Sequence, residues 1–549
     1  MLCFLFDYNH TPSNGRREEK LMLWSDGRAD HLLCAARGAA LSPRLGAPLL
    51  ELEGRKCEDD LMVEGHVIGM LYGVLEQLSP EVRTRIGEGY LFYDWFAIPQ
   101  ITARQPGVNE ETTKSDAALA VQSIPAYVEA CNLFFVLCPE LHHQETGERC
   151  NYTSWLQRGW CRAELYCRLL SIRADTSVIV VYSSAEAEFM FYLDWQQNNI
   201  SDGTFTVEAD RSVVVRLGEV AVESKLKHVR GSGPLDYYRF FSATEQKVLG
   251  RSDPCWTQEQ FLEHFQFSSL AVAAQDRVGM NGVMCAAFAG DGRMLRCLVE
   301  QEGDVNCKLH GLERLGFWNT LTPLMIAARM NHRPDVLRAM LELRANVNDR
   351  VARSGINAAF MVRSPGQVEV LLAAKADFHS AAAVGVGLHP LTGVASFATA
   401  ETLTAMLWAR CDPNPDLQGV GWSPLHALAL MSRGNPYAKE KAHLLLAHRA
   451  DPNARARPTG MFAAVARLAR VQASLWGLRN CLTKTRYAAS VAGITPLGMA
   501  ALVGDEQLAC LFLEIGAELS ANDRGDLPDD LARANRHHHL VSVLSLLPV

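Results

Sequence analysis

The sequence predicts a small α/β domain followed by an all-α solenoid. A phrase of about seven residues recurs through the C-terminal half, and apolar segments with helical and strand-like spacing alternate between residues 61 and 185. No apolar run approaches the roughly 20 residues that a membrane-spanning helix needs. With 48% hydrophobic and 21% charged residues, the composition is that of a globular protein and not of a disordered one.

The recurring phrase has two parts that keep the same order. The first part is strongest at 322–328 (TPLMIAA), 423–429 (SPLHALA) and 495–501 (TPLGMAA). The second part follows after the length of two short helices, at 343–348, 448–453 and 515–519. With weaker copies included, the first part is anchored at positions 282, 323, 357, 390, 424, 460, 496 and 528. The spacing of roughly 32 to 41 residues indicates a repeat architecture.

The chemistry of the phrase predicts a pair of helices. A Ser or Thr before Pro is an N-cap followed by a first helical position, where the missing N–H costs nothing. The alanine pairs allow close helix packing, and later apolar residues such as Val336, Leu337 and Met340 recur at helical spacing. One such unit cannot bury its own apolar face, so the units must stack.

These phrases resemble the ankyrin repeat, over residues 277–549 and about eight repeats, some of them degenerate. The resemblance implies that turns and first helices form a concave surface that binds a protein partner. It implies no cofactor.

The N-terminal half predicts an α/β domain at residues 61–185. Helices are expected at 66–78, 115–131 and 155–171, and strands at 89–96, 132–138 and 176–182. Alternation of helices with continuous apolar strands predicts a mainly parallel sheet. Residues 1–60 are interpreted as an irregular or partly disordered segment.

Three motifs of this domain are similar to those of TIR domains, in the family's order. They are 93–99 (YDWFAIP), 123–131 (SIPAYVEAC) and 160–165 (WCRAEL). The resemblance implies a flavodoxin-like fold and assembly by self-association. In the NAD-cleaving members of the family, the position of Glu164 is the catalytic acid, which implies that Asp94, Trp95 and Trp160 line the nucleotide site. The opening strand of that family cannot be placed from the sequence: either it is a remote version within residues 1–60, or the domain is degenerate.

Each of these site residues also has a structural interpretation. Glu164 is four residues from Trp160 and Arg168 on a predicted helix, where a carboxylate pairs with Arg162 or Arg168 or faces solvent. Asp94 and Trp95 stand at the end of a strand, where α/β folds bind ligands but also where they turn. For Glu164 the structural interpretation is favoured.

Residues 186–276 are predicted to link the two domains. Segments 204–207 and 212–217 alternate enough to predict a hairpin or two strands. Residues 256–274 predict one helix, with Thr257 as its cap, that covers the first repeat.

No metal site is predicted. His142, His143, Cys150 and Cys161 lack a recognised ligand spacing, and the histidine run 537–539 is interpreted as a surface feature of the last repeat. The fifteen cysteines are scattered, which favours reduced thiols and a cytoplasmic location. No nucleic-acid partner is expected.

One segment of the solenoid has an unusual charge. Residues 452–504 contain seven basic and no acidic residues, and a helix predicted at 461–482 carries Arg467, Arg470 and Arg479 beside large apolar residues. A basic amphipathic helix is typical of a membrane-surface segment or of a calmodulin-like target. Because Gly460 lies in phase with the repeats, a degenerate repeat with a basic outer face is preferred.

Two functions remain open. The first is a scaffold or signalling adaptor that binds a protein through the ankyrin repeats, with the TIR-like domain for assembly. The second is an enzyme that hydrolyses NAD through Glu164 and is regulated by the repeats. The scaffold is favoured, because packing and turns fully explain the repeated phrases.

Overall fold

The computed structural model divides into two compact units, Met1–His228 and Val229–Val549. It describes residues 2–6, 90–93, 118–131, 133–139, 141–143, 147, 149–173, 176–183, 186–190, 200–381, 385–431, 437–481, 483–535 and 537–545. The helix predicted at 66–78 lies outside these residues. Within the described part, no helix combines the length and apolarity needed to cross a membrane.

Unit one is built on a five-stranded sheet. Its strands are β1 Leu2–Phe6, β2 Tyr90–Tyr93, β3 Leu133–Leu137, β6 Ile179–Ser183 and β7 Glu186–Phe189, in the order β2-β1-β3-β6-β7. The short strands β4 Leu141–His142 and β5 Arg149–Cys150 form a separate pair. Strand β1 places residues 2–6 in this sheet, and the rest of the segment 1–60, predicted to be irregular or partly disordered, lies outside the described residues.

The prediction of a mainly parallel sheet is wrong for the described strands. Only β3 and β6 run parallel, with Phe135 opposite Ile179. Strand β1 is antiparallel to both β2 and β3, and β7 is antiparallel to β6. The three predicted strands, observed as β2, β3 and β6, do run in the same direction, because β2 and β3 are both antiparallel to β1. The sheet is mixed because β1 and β7, for which the sequence predicts no strand, run against these three.

The helices of unit one follow the prediction in part. They are α1 Ile124–Ala130, α2 Tyr152–Gln157, α3 Gly159–Leu169 and α4 Asp210–Ser232, and the boundary between the units falls within α4. The helix predicted at 155–171 is broken at Arg158, which bridges to Thr204. The strands predicted at 204–207 and 212–217 are wrong. Residues 204–207 form a loop in which only Thr204 bridges to Arg158. Residues 212–217 lie in α4, where Val214, Leu217 and Ala221 are buried at helical spacing.

Three helices precede the repeats of unit two: α5 Leu235–Val248, α6 Gln258–Phe265 and α7 Leu270–Gln275. Helix α5 packs on the first helix of the first repeat, and α7 packs on both of its helices. Thr257 caps α6 as predicted, through a reciprocal capping box with Gln260. The single helix predicted at 256–274 is two helices, because Gln266 adopts a left-handed conformation that ends α6.

The stack consists of seven helix pairs among the described residues. They are α8 Gly282–Ala289 with α9 Gly292–Glu300, α10 Pro323–Arg329 with α11 Pro334–Glu342, α12 Ala358–Met361 with α13 Pro365–Ala373, α14 Pro390–Phe397 with α15 Ala400–Trp408, α16 Pro424–Leu430 with α17 Ala438–Ala447, α20 Pro496–Val503 with α21 Glu506–Glu514, and α22 Pro528–Ala534 with α23 His538–Ser545. Between the fifth and sixth pairs lie α18 Gly460–Trp476 and α19 Thr483–Ser490.

The predicted caps of the first helices are present. The side-chain oxygens of Asn281, Thr322, Asn357, Ser423 and Thr495 each accept a hydrogen bond from the backbone N–H three residues later. Each bond satisfies one of the backbone donors that a helix start leaves open. The side chains of the apolar residues that follow are buried, and they form the core of the stack.

A left-handed residue marks the end of the second helix in six of the pairs. The residues are Glu302, Arg344, Lys375, Arg410, Arg449 and Gly516. Glycine fits this conformation without strain, whereas another residue pays roughly 1 kcal/mol. Only one of the six is glycine, which explains why the second phrase is harder to recognise in sequence than the first.

Helices α18 and α19 are an insertion and not a repeat of the stack. Helix α16 packs directly on α20, and α17 packs on α21. Across the insertion, the His426 Nε2 donates to the carbonyl oxygen of Ile494 at 2.9 Å, and the N–H of Ala456 donates to the same oxygen at 2.8 Å. The interpretation of Gly460 as the start of a degenerate repeat is therefore wrong. The insertion is close to one repeat long, so the anchor spacing did not reveal it.

Candidate functional site

The predicted nucleotide site is only partly within the described residues. Asp94 and Trp95 lie outside them, whereas Trp160 and Glu164 lie on α3. The side chain of Glu164 is buried, with 6% exposure. The indole Nε1 of Trp160 donates to the Asp210 carboxylate at 3.0 Å, so this side chain ties α3 to the start of α4.

Two arginines on α3 bind backbone carbonyls. The Arg162 Nε donates to the oxygen of Leu156 at 2.8 Å, and burial lowers the pKa of Arg162. Arg168 is fully buried, and its Nη1 donates to the oxygen of Cys131 at 3.0 Å. These oxygens lie at the ends of α2 and α1, where helices leave carbonyls without partners. Both arginines therefore have a structural role in unit one.

Cysteine and histidine side chains do not cluster into a metal site in the described part of the chain. No three His, Cys, Asp or Glu residues there are placed to hold an ion. Burial raises the pKa of the Cys138 and Cys167 thiols, which keeps both protonated at neutral pH. Cys161 is buried in α3, while Cys150 is at the end of β5 and only partly covered.

The repeats of unit two are joined by a ladder of asparagine side chains. The side chain of Asn306 donates to the oxygen of Arg344 and accepts from the N–H of Asn346. Asn348 and Asn414 make the same two bonds to the pairs that follow them. Asn453 accepts from the N–H of Glu518 at 2.8 Å, so the ladder passes over the insertion. These bonds tie together the loops that follow the first three pairs, and likewise the loops that follow the fourth, fifth and sixth pairs; the loops between pairs are called fingers below.

A second series of polar side chains binds the ends of the preceding first helices. Gln367 donates to the oxygen of His332, and Thr402 donates to the oxygen of Arg363. Lys441 is fully buried and donates to the oxygens of Ala395 and Ala398. Burial, reinforced by the charge of Arg363, lowers the pKa of Lys441 to about 7.

His426 is the residue at the fourth position of the first phrase, and it is neutral. Its Nδ1 accepts from the N–H of Ser423 at 3.2 Å, while its Nε2 donates to Ile494. Burial lowers the pKa of His426 to about 4. The side chain therefore acts as a hydrogen-bonded joint between two repeats, and it has no catalytic geometry.

The finger residues expose side chains that a partner can reach. The longest finger, residues 301–321, folds back so that Phe317 packs on Phe240 and Phe288. The neighbouring Trp318 keeps 39% of its surface exposed, and Arg353 is exposed in the next finger. Exposed polar and aromatic side chains on rigid loops are the usual means of recognition on such scaffolds.

One surface was missed at the level of sequence. The insertion helix α18 exposes its large apolar residues, although it had been interpreted as part of a repeat with its apolar face buried. A signal was present in the spacing of Met461, Leu468 and Leu475, which recur every seven residues.

Comparisons with known proteins identify the repeats. The ankyrin-repeat family model matches residues 319–351 and 420–457, which contain the second helix pair and the fifth. A search of curated proteins found no match. Among solved structures, the crystal structure of the human ASB11 ankyrin repeat domain is similar at 20% identity. The likeness covers 47% of this chain and 95% of that one, with a TM-score of 0.32. None of these matches supports the predicted TIR-like domain.

Proposed function

Since the C-terminal region of this chain consists of ankyrin repeats, we propose that the protein is a scaffold or signalling adaptor that binds a protein partner through the fingers of the stack. The observation that carries this proposal is the asparagine ladder, which holds successive fingers in register over the insertion. A preorganised row of loops binds with little ordering cost, because the loops lose little freedom on association.

The chemistry of the fingers indicates the kind of contact. Trp318 offers a half-exposed aromatic surface, and Arg353 offers a guanidinium group one finger away. Tryptophan and arginine are enriched among the residues that dominate binding energy at protein interfaces. We therefore assign the partner surface to the fingers and not to the second helices on the opposite side.

The test is affinity capture with the full-length chain from an extract of its source cells, quantified for each captured protein. The finger variant carries Trp318→Ala with Arg353→Glu, and the matched control carries Trp408→Ala, an exposed tryptophan on α15. We expect at least one specific partner to fall about tenfold or more with the finger variant and to be unchanged with the control. Capture that the control abolishes and the finger variant leaves intact would contradict the proposal.

The location and the assembly of the protein belong to the same proposal. A cytoplasmic location is supported by the cysteines, because the twelve between Cys131 and Cys510 are free thiols. Self-association through unit one is a further element, taken from the resemblance to TIR domains. Light scattering on the full chain at increasing concentration tests it, and a constant monomer mass would exclude it.

NAD hydrolysis stays as the alternative, supported by one feature of unit one. The strand order β2-β1-β3-β6-β7 is the order 2-1-3-4-5 of flavodoxin-like sheets, although β1 and β7 run opposite to the other three strands. Nicotinamide release by the full chain, compared with Glu164→Gln, is the test. Turnover that disappears in the variant would favour the enzyme, and no turnover at high protein concentration would exclude it.

A further inference from the structure

Helix α18 presents its large side chains outward and its small ones inward. Ala466, Ala469 and Ala473 are buried on the inner face. The outer face exposes Met461, Val465, Leu468, Val471, Leu475 and Trp476. A helix at the surface of a globular protein normally does the reverse, since burial of large apolar side chains stabilises the fold.

The outer apolar residues form a regular seam. Met461, Leu468 and Leu475 are seven residues apart and are 72%, 71% and 75% exposed. Val465 and Val471 lie between them, at spacings of three and four residues. A repeat of seven keeps side chains on one line of an α-helix, which is the pattern by which one helix packs along another. The seam is about 21 Å long, from 14 residues at a rise of 1.5 Å.

The opposite side of α18 packs on other parts of unit two. Helix α18 packs on α19. Its Phe462 lines an apolar cavity of about 230 Å³, together with Trp422 and Met499. Val465 also lines this cavity while remaining half-exposed, so it marks the edge of the seam on this side. The insertion is therefore attached to the stack through this side, and the seam points away from it. The seam is exposed to solvent among the described residues.

The charge beside the seam is positive. A shallow depression of about 390 Å³ lies beside the C-terminal part of the seam and is lined by Arg467, Arg470, Val471, Ser474 and Leu475. Neither guanidinium group forms an ion pair within the described residues, and residues 452–504 contain no acidic side chain. An occupant that carries carboxylates beside its apolar residues would gain charge-assisted contacts here.

Two other occupants fit these observations less well. Pairing of two copies along the seam would bring arginines toward arginines, with no carboxylate in this segment to separate them. An anionic membrane would attract the same charges. However, Arg467 and Arg470 lie on one flank of the apolar face only, whereas the other flank turns toward α19. The seven-residue spacing specifically favours a helix, because a bilayer places no demand on register.

We propose that α18 is a docking helix, and that its exposed seam binds an amphipathic α-helix with acidic flanks on a partner protein. The apolar residues of the partner helix pack on Met461, Leu468 and Leu475, and its carboxylates face Arg467 and Arg470. This site is separate from the finger surface, so the chain would hold two partners, or two parts of one partner, on different faces.

The test uses the full-length chain and designed peptides of 21 residues. The acidic peptide has leucines at the two seam positions of each heptad and glutamates on their flanks, and the matched basic peptide has lysines in place of the glutamates. Fluorescence anisotropy of the labelled peptides measures binding. We expect the unmodified chain to bind the acidic peptide at least tenfold more tightly than the basic one.

Three variants locate the contact. Leu468→Glu with Leu475→Glu removes the seam and is expected to abolish binding of the acidic peptide. Arg467→Glu with Arg470→Glu is expected to weaken binding of the acidic peptide about tenfold and to strengthen binding of the basic peptide. Trp408→Ala, the exposed residue on α15, is the control and leaves both affinities unchanged. Because the four substituted side chains of α18 are exposed or half-exposed, the variants should fold, which thermal unfolding verifies.

Four outcomes would overturn the proposal. They are equal binding of both peptides, no binding of either, and charge-swap variants that fail to exchange the preference. The fourth is occupation of the seam by something else. Stronger binding to phosphatidylserine vesicles than to phosphatidylcholine vesicles, lost with Leu468→Glu and Leu475→Glu, would assign the seam to a membrane. A dimer seen by light scattering and lost in the same variant would assign it to a second copy.

Discussion

Helices α18 and α20 begin with the same kind of sequence anchor, but they differ in almost every structural respect. All eight residues of α20 are buried, whereas only three of the seventeen residues of α18 are. The Thr495 side chain caps α20, while Thr459 makes no side-chain cap on α18. The comparison shows that a repeat is defined by what its helices pack against, and that spacing alone does not distinguish a repeat from an insertion of similar length.

The largest expected difference between the two helices is in stability. Leu497→Ala in α20 removes a fully buried side chain and should lower the free energy of unfolding by about 2–5 kcal/mol. Leu468→Ala is the same substitution at an exposed position of α18, and it should alter the free energy of unfolding by less than about 0.5 kcal/mol. Urea unfolding of both variants measures the difference. Equal losses would mean that the seam of α18 is covered within the chain.

His426 tests the direct contact between the repeats on either side of the insertion. His426→Ala removes the bond to Ile494 and a buried side chain, and should cost about 2 kcal/mol at neutral pH. If α18 and α19 instead separated the repeats as a unit of the stack, the substitution would cost little.

The same histidine predicts a pH dependence. Its pKa in the folded chain is about 4, below the usual value of 6.5, so the unfolded state binds more protons between these values. Its contribution to stability is therefore complete above pH 6.5 and is lost as pH falls toward 4. Unfolding at several pH values should show a slope in this window that is smaller in His426→Ala. An unchanged slope would contradict the prediction.

Because of Lys441, we also expect the free energy of unfolding to depend on pH in the range above neutrality. The pKa of Lys441 in the folded chain is about 7, below the usual 10.5, so the unfolded state again binds more protons in between. The free energy of unfolding should rise with pH from about 7 to 10.5 through this group. Lys441→Met keeps an unbranched buried side chain but removes the amine. In this variant, the rise in the free energy of unfolding between pH 7 and 10.5 that comes from Lys441 should disappear. Stability measured across this range decides the point.

The smallest expected effect concerns the left-handed residue after the second helices. Arg449→Gly relieves backbone strain but adds freedom to the unfolded chain, and should stabilise the protein by about 0.5 kcal/mol. Gly516→Ala introduces strain at the matching position and should cost about 1 kcal/mol. Paired thermal unfolding measures both. Shifts in the same direction would show that the two positions are not equivalent.

Local chemistry explains why the repeats were predictable. Thr322, Ser423 and Thr495 cap their helices within three residues, so short phrases in the sequence record them directly. The Thr257 cap was predictable for the same reason. By contrast, the alternating valines near Val214 favoured a strand over a short window, and only the longer helical spacing of α4 reveals the helix.

The candidate sites divide in the same way. The sequence placed Trp160 and Glu164 on one helix, but the partner of Trp160 is Asp210, fifty residues later. The basic character of the segment around Arg467 and Arg470 was visible in the sequence, while the outward direction of its apolar face was not. That direction depends on the packing of α16 against α20, which leaves α18 outside the stack.

By itself, the sequence determined the repeat chemistry of the C-terminal region, its helix starts, and the excess of positive charge between residues 452 and 504. Tertiary structure decided the number of stacked pairs, the direction of β1, the burial of Lys441 and the exposure of Met461, Leu468 and Leu475. The reason is physical: caps and turns are set by neighbouring residues, whereas burial and strand direction are set by contacts between segments far apart in the chain.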